Sequence, residues 1–463
     1  MRLILLSGGS GKRLWPLSND ARSKQFLKVL ENKDGDRESM VQRVWSQLKA
    51  VDLADSAVIA TSKSQVDMLQ SQLGEAVGIV VEPERRDTYP AIALAAAYLY
   101  SVERVHPNEV VVVLPVDPFV EEDFFHRVKE LEGLLEATDV DLALVGVRPT
   151  YPSEKYGYIV PESSQDDNNY FKVSHFREKP TEKQAYQLIS EKALWNCGVF
   201  AFKLGYVIAR LEEIGLPTDY FQLKDKYSQL PKISFDYEVV EKAANVVALR
   251  YEGEWKDLGT WNTLTEEMST PITGNGVLCE ESFDTHIINE LDIPIIVLGL
   301  SDIVVAASPD GILVAAKKAS PRVKDLVNGF AQRPMYEERR WGWYRVLDHM
   351  KYENGQEVLT KRIGILAGKN LSYQMHHLRN EVWTITNGTG EFAFDDMIYK
   401  VKLGDVLSIP VGVKHGIKAT SDLEFIEVQT GSELVEEDIV RIFMGWDEVE
   451  EHCERDRSGL MMG

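Results

Sequence analysis

Two sets of residues could do chemistry by their types and spacing. The first lies in the opening 30 residues, where Arg2, Lys12, Arg13, Arg22, Lys24 and Lys28 stand against one acid, Asp20. The whole chain carries 51 Lys and Arg against 73 Asp and Glu, a formal charge of −22. Such an acid excess disfavours DNA or RNA as a bulk partner, so a chain that handles phosphates must gather its cations locally. The cluster surrounds Ser7-Gly8-Gly9-Ser10-Gly11-Lys12-Arg13. This run is no Walker loop, because Leu6 stands five before Gly11 and Arg13 replaces the hydroxyl residue. It also lacks the third glycine of a dinucleotide fingerprint, since position 14 is Leu. What remains is a turn in which Gly8, Gly9 and Gly11 could turn backbone N–H groups toward phosphates. A plain structural turn fits the same residues.

The second set is Gln374, His376, Glu381 and His415, ligand-type residues whose grouping rests on the motif resemblance given below. Two imidazoles, a carboxylate and an amide oxygen would suit a divalent first-row metal such as Zn²⁺, Mn²⁺ or Co²⁺. Strand alternation puts Gln374 and His376 on one face and His377 on the other.

Both sets need elements to hold them. Apolar runs at 2–6, 57–61, 78–81, 109–114 and 141–147 have strand length and are rich in Val, Ile and Leu. Amphipathic stretches such as Met40, Val41, Val44, Trp45 and Leu48 lie between them at helical spacing. Strands buried on both faces and separated by helices predict a mostly parallel, Rossmann-like sheet, with ligands beyond the strands' carboxyl ends. The glycine loop falls there. Near residue 270 the pattern changes to short strands at 293–306 and 311–316, then a short helix and linker over 318–335. From about 340, short strands and Gly-rich turns predict a small β-sandwich or barrel. Three units are expected, 1–268, 269–335 and 336–463.

Further motifs follow the glycine loop in order: Arg13-Leu14-Trp15-Pro16, Lys24-Gln25-Phe26, Glu82-Pro83 with Arg86-Asp87-Thr88, and Leu114-Pro115-Val116-Asp117. Then come Tyr156-Gly157-Tyr158, Arg177-Glu178-Lys179-Pro180, Trp195-Asn196-Cys197-Gly198, Ser234-Phe235-Asp236-Tyr237 and Trp255-Lys256-Asp257-Leu258-Gly259. Over residues 1 to about 268 this series resembles the mannose-1-phosphate guanylyltransferases, nucleotide-diphospho-sugar transferases that join GTP to mannose 1-phosphate. The resemblance implies that Arg13 clamps the β- and γ-phosphates. It gives Lys24 the α-phosphate or the incoming sugar phosphate, and Asp117 and Asp257 a Mg²⁺ ion. Glu178, Asn196 and Gly157 would meet the sugar, Lys179 its phosphate, and Glu82, Arg86 and Thr88 the base. Asp236 and Glu241 fit this scheme or a role in capping and surface charge. The chain departs from the family at Asp87-Thr88-Tyr89-Pro90, where Asn-Thr-Ala-Pro is common, at Pro118 in place of His and at Cys197 in place of Ser.

The spacings Gly368-x5-Gln374-x-His376-x4-Glu381-x6-Gly388 and Gly404-x5-Pro410-x-Gly412-x2-His415 resemble the two cupin motifs. With Trp341-Gly342-Trp343-Tyr344 and Ile426-Glu427-Val428-Gln429-Thr430-Gly431, they resemble type II mannose-6-phosphate isomerases. That likeness implies exchange of fructose 6-phosphate and mannose 6-phosphate, a proton moving between C1 and C2 while a metal stabilises the ene-diolate. Arg441 would bind the substrate phosphate or form a surface ion pair. The family's Tyr-Gly-Arg ending is replaced by Phe443-Met444-Gly445-Trp446. The alternative is a transferase for another sugar 1-phosphate or nucleotide, with a barrel that senses sugar or holds subunits together; a homo-oligomer is left open. Three scattered cysteines without a CxxC fit a reducing compartment. The N-terminus reads as a first strand, and no apolar stretch approaches the ~18 residues of a membrane span. The expected location is the cytoplasm.

Overall fold

The computed structural model describes residues 1–9, 11–162, 170–330, 333–435 and 438–456. Ser10 of the glycine loop and Glu437 of the last motif lie outside them. The chain divides into two compact units, one of 1–288 with 295–306 and 314–328, the other of 289–294, 307–313 and 329–463. The 269–335 stretch expected as a separate connector is therefore shared between them.

In the first unit, nine strands form one sheet: β1 (Arg2–Ser7), β2 (Ala57–Ser62), β3 (Gly78–Glu82), β4 (Val110–Pro115), β5 (Leu142–Val147), β6 (Tyr158–Pro161), β7 (Tyr170–Arg177), β8 (Leu194–Lys203) and β9 (Val246–Tyr251). Their order is β3-β2-β1-β4-β8-β5-β9-β7-β6. The first four of this order run parallel, as two-faced burial of Leu3, Ile4 and Leu5 and of Val111 to Leu114 requires. β8 enters antiparallel between β4 and β5. The sheet is thus mixed: β7 pairs antiparallel with both β6 and β9, so the chain is already reversed when the helix Glu182–Ser190 leads from β7 to β8.

The site is assembled where the parallel strands end. Just past β4, Pro118–Val120 pairs antiparallel with Trp255–Asp257, placing Asp257 opposite Pro118. That ribbon brings two carboxylates 140 positions apart in sequence to one place. The turn Lys12–Leu14 after β1 packs against the short helix Val323–Val327. Preceding it, the Lys317–Arg322 turn is tied to the helix Trp261–Glu266, with Ser320 Oγ accepting from the Asn262 N–H at 3.3 Å. Residues past 268 thus buttress the loop that carries Arg13.

The second unit is a barrel of two facing six-stranded sheets. One contains Gly342–Lys351, Glu357–Ile365, Leu423–Gly431, Arg379–Asn387 and Val406–Ile409; the other contains Val440–Phe443, Tyr373–Met375, His415–Ala419, Thr389–Phe394 and Met397–Lys402. Leu359, Ile363, Trp383, Ile385, Phe392, Ile417 and Phe425 fill it.

A chain ending at 335 keeps the Val323–Val327 support and should retain turnover, whereas one ending at 268 loses it. Misplacing Arg13 in the shorter chain should cost roughly 10²-fold in kcat/KM, measurable on both fragments after circular dichroism shows them folded.

Candidate functional site

The glycine loop is held by uncharged side chains. Gly9 and Gly11 have φ of 115° and 56°, in the left-handed region open to glycine. A Cβ on Gly11 would stand 2.8 Å from Ser23 Cα. Ser18 Oγ donates to the Gly11 carbonyl, and Ser23 Oγ to that of Gly9 at 3.0 Å. Gln65 Nε2 donates to Ser23 Oγ at 2.6 Å, Gln25 Nε2 to Ser7 Oγ at 3.2 Å, and Thr61 Oγ1 to the Ser7 carbonyl at 2.9 Å. All six of these side chains are buried. Buried hydrogen-bonded groups fix geometry, since losing one partner leaves the other unsatisfied.

Beside the loop lies a cavity of about 530 Å³. Arg13, Lys24, Asp117, Gly157, Glu178, Lys179, Asn196 and Asp257 all line it. Lys24 Nζ sits 2.8 Å from Asp117 Oδ2 and 2.8 Å from Asp257 Oδ1. Two carboxylates therefore aim at one point, now held by an ammonium, which is a donor set a hard dication also fits. Burial alone would lower the Lys24 ammonium, yet the two carboxylates outweigh it and raise its pKa above the ordinary value. For Asp257 burial pushes up, and Lys24, Arg13 and Lys155 together hold the carboxyl below its usual range.

The far end of the cavity gathers polar side chains around Gly157. A Cβ on Gly157 would fall 2.5 Å from Glu178 Oε2 and 2.4 Å from Phe176 Cζ, so only glycine leaves that space. Glu178 Oε2 is buried with no hydrogen-bond partner, while its Oε1 accepts from Lys179 Nζ at 2.7 Å. Asn196 Nδ2 donates to Asp236 Oδ1 at 2.8 Å, and its own Oδ1 accepts from the Gly198 N–H at 3.0 Å. Glu241 Oε1 accepts from the Glu178 N–H at 2.9 Å. Burial, then the Glu178 charge, pushes the Asp236 carboxyl up to about 7.

The residues expected at the base are bonded to a distant segment of the chain. Tyr227 donates its hydroxyl to Glu82 at 2.6 Å, Arg86 Nε and Nη2 donate to the Leu230 carbonyl at 3.1 and 2.9 Å, and Thr88 Oγ1 accepts from the Phe235 N–H at 2.9 Å. They tie 82–88 to 227–235 and are not among the cavity's lining residues.

In the barrel, His376, Glu381 and His415 place one ligand atom each within 4.8 Å of one another. His376 Nδ1 lies 2.5 Å from the Asp438 carbonyl and His415 Nδ1 3.0 Å from that of Val413, so both rings donate there and keep Nε2 as a lone pair. His415 Nε2 is buried with no hydrogen-bond partner, the orphan a metal would satisfy. Burial holds the His376 pKa below the usual imidazole value, and the neutral form is the one that binds metal. Burial would raise Glu381, but His415, His376 and Arg379 outweigh it and hold it well below the carboxylate range. Gln374 turns its amide oxygen to Ser372 Oγ at 2.7 Å and its Nε2 toward His376 Nε2 at 3.4 Å. Arg441 pairs with Gln374 in register and is exposed. His377 is exposed, as alternation predicts.

Five further residues, Arg379, Trp383, Glu427, Gln429 and Lys361, receive no role from motif reading. Arg379 Nε donates to Glu381 Oε1 at 2.9 Å, and Arg379 Nη2 lies 3.4 Å from His376 Nε2. Trp383 Nε1 is 3.1 Å from both Glu381 Oε2 and Glu427 Oε1, and Gln429 Nε2 spans the same two carboxylates at 3.3 and 2.9 Å. Lys361 Nζ stands 4.0 Å from Glu427.

A mixed α/β sheet, a glycine loop with an arginine, and carboxylates converging beside a cavity define a nucleotidyl transferase, here joined to a barrel whose two histidines and glutamate could hold a metal. Residues 2–272 match the nucleotidyl transferase family model, and 331–443 match that of the mannose-6-phosphate isomerase C-terminal domain. The xanthan biosynthesis protein XanB of Xanthomonas campestris pv. campestris (strain B100) is 31% identical, over 95% of this chain and 97% of its own. The mannose-1-phosphate guanylyltransferase of Escherichia coli K12 is 29% identical, over 95% and 97%. A crystal structure titled mannose-1-phosphate geranyltransferase, from Thermus thermophilus, aligns with a TM-score of 0.57 and 28% identity, covering 71% of this chain and 98% of that one. The chain belongs to the nucleotidyl transferase family, in the full-length mannose-1-phosphate guanylyltransferase form that carries an isomerase-type C-terminal domain. Among the described residues no helix is long and apolar enough to cross a membrane.

Asp236 gives a pH signature. Its folded pKa of about 7 exceeds the ordinary 3.8, so the folded state holds the extra proton and loses stability as pH rises from about 4 to 7. Asp236→Asn keeps an acceptor for Asn196 and should raise Tm at pH 8, by roughly 1–3 kcal/mol of stability, with the gain vanishing near pH 4. Thermal melts of both proteins across that range check it; a gain equal at both ends would refute it.

Proposed function

We propose that the first unit forms GDP-mannose and pyrophosphate from GTP and mannose 1-phosphate. The observation that carries this reading is the convergence of Asp117 and Asp257 on one point, at the end of a cavity whose other end offers the unpartnered Glu178 oxygen above Gly157. A sugar hydroxyl donates to Glu178 Oε2, and Asn196 fixes the ring beside it. That grip directs the sugar's phosphate oxygen at the α-phosphorus, a displacement that needs positioning and charge neutralisation more than covalent help. Arg13 forks onto the β- and γ-phosphates, so its charge meets the pyrophosphate as it leaves. Lys24 turns from the two carboxylates to the phosphate oxygens. Asp117 and Asp257 would then hold Mg²⁺, whose charge offsets that building on the phosphates. Guanine as the base is taken from the relatives' names.

The barrel, on the same proposal, interconverts fructose 6-phosphate and mannose 6-phosphate. His376, Glu381 and His415 would hold a divalent Zn²⁺, Mn²⁺ or Co²⁺, which polarises the oxygens at C1 and C2 as a Lewis acid. The exposed Arg441 suits the 6-phosphate. A second reading, in which the barrel senses sugar or is structural, is favoured by Arg379, whose guanidinium already balances Glu381 without a metal.

Purified chain with Mg²⁺ should turn over GTP and mannose 1-phosphate, and Lys24→Ala and Asp257→Ala should each lower kcat by at least about 10²-fold with the fold intact. A clear preference for CTP, UTP or dTTP would overturn the base assignment. Elemental analysis should find one divalent metal per chain, and His376→Ala or His415→Ala should lose it together with isomerase activity while GDP-mannose synthesis persists. A metal-free chain, inactive after reconstitution, would leave the second reading.

A further inference from the structure

The cations of the transferase cavity are unequally committed. Lys24 is held by Asp117 and Asp257, and Lys179 by Glu178. Lys179 also lies over the Tyr237 ring, 5.9 Å from its centroid, on the sugar side. Among the described residues, Arg13 and Lys155 are the two lining cations whose side chains enter no hydrogen bond or ion pair. Arg13 belongs to the glycine loop at the triphosphate end. Lys155 stands on the loop that leads to Gly157, at the sugar end.

That loop is a built support. Tyr158 Oη accepts from the Ser153 N–H at 2.8 Å and donates to the Ser153 carbonyl at 3.1 Å, both buried. Ser153 Oγ accepts from the Lys155 N–H at 3.1 Å. Glu154 Oε1 accepts from the Glu182 N–H at 3.0 Å, at the start of the helix Glu182–Ser190. On its other side Tyr156 packs against Trp195 and Trp255, with centroids at 4.8 and 5.5 Å. The backbone of Lys155 is thus pinned before and after, and only its side chain is left for the cavity. From there its charge reaches Asp257, helping Lys24 and Arg13 hold that carboxyl down.

We propose that Lys155 is a phosphate ligand of the incoming sugar 1-phosphate, bridging the sugar pocket at Gly157 and the carboxylate pair at Asp257. The 1-phosphate must lie between those two places, because its sugar occupies the first and its attacking oxygen reaches the phosphorus beside the second. Lys179 faces Glu178, and Lys24 must first leave Asp117 and Asp257, so an uncommitted ammonium supplies the charge that a dianion entering an acidic cavity needs. This rests on the transferase reading above.

The test uses the full chain with Mg²⁺ and GTP, comparing wild type with Lys155→Gln and Lys155→Arg. Lys155→Gln should raise KM for mannose 1-phosphate about tenfold, with KM for GTP changed less than about twofold. Lys155→Arg should restore it to within about threefold, since a guanidinium also grips phosphate. Added NaCl should raise KM for mannose 1-phosphate less steeply in Lys155→Gln than in wild type, a readout that a merely structural role would not move. An unchanged KM, a rise in KM for GTP instead, or an unaltered salt slope would overturn the proposal. Should the wild type prefer another sugar 1-phosphate, the mannose reading falls alone, and the same variants on that substrate still decide Lys155.

Discussion

The first unit is organised around the cost of holding two carboxylates close together. Asp117 and Asp257 would repel each other in a partly buried site unless a cation stood between them. Lys24 supplies it, and the surrounding architecture follows from this need. The Pro118–Val120 and Trp255–Asp257 ribbon fixes the carboxylates, and the short helical turn Lys24–Phe26 sets Lys24 opposite them. The barrel repeats the solution with other groups, as Arg379 lies against Glu381 and His376. In both units a protein cation occupies the ground that a dication would take, so metal entry is an exchange of charges and not the filling of a void.

Much of this was legible in the chain. The five apolar runs at 2–6, 57–61, 78–81, 109–114 and 141–147 became β1 to β5 with ends shifted by a residue or so, because two-faced burial leaves a continuous apolar signature. The antiparallel entry of β8 left no such trace, since Leu194–Lys203 is as apolar as its parallel neighbours. The residues brought to the cavity, from Arg13 to Asp257, lie in motifs whose order carries information. The partners of Glu82, Arg86 and Thr88, at Tyr227, Leu230 and Phe235, are some 145 residues away, a pairing no local motif announces.

The polar interior of the barrel was hidden for a different reason. Leu359, Lys361 and Ile363 alternate inward, as do Phe425, Glu427 and Gln429, and Glu381, Trp383 and Ile385. Alternation places Lys361, Glu427 and Gln429 inside, but their polarity argues for the outer face. The conflict resolves because they satisfy one another: Trp383 and Gln429 each donate to Glu381 and to Glu427. A local violation of patterning therefore marks the polar cluster around Glu381.

The uncharged frame of the glycine loop has a consequence for how the enzyme meets its surroundings. Ser7, Ser18, Ser23, Gln25, Thr61 and Gln65 hold no titratable group, and all are shielded from solvent. Dissolved ions therefore find no charge to act on in the scaffold, whereas the Arg13 charge stands exposed to them. Shape and grip answer to separate variables: a cell could change how tightly the loop holds its ligand, through ionic conditions alone, without softening the loop itself.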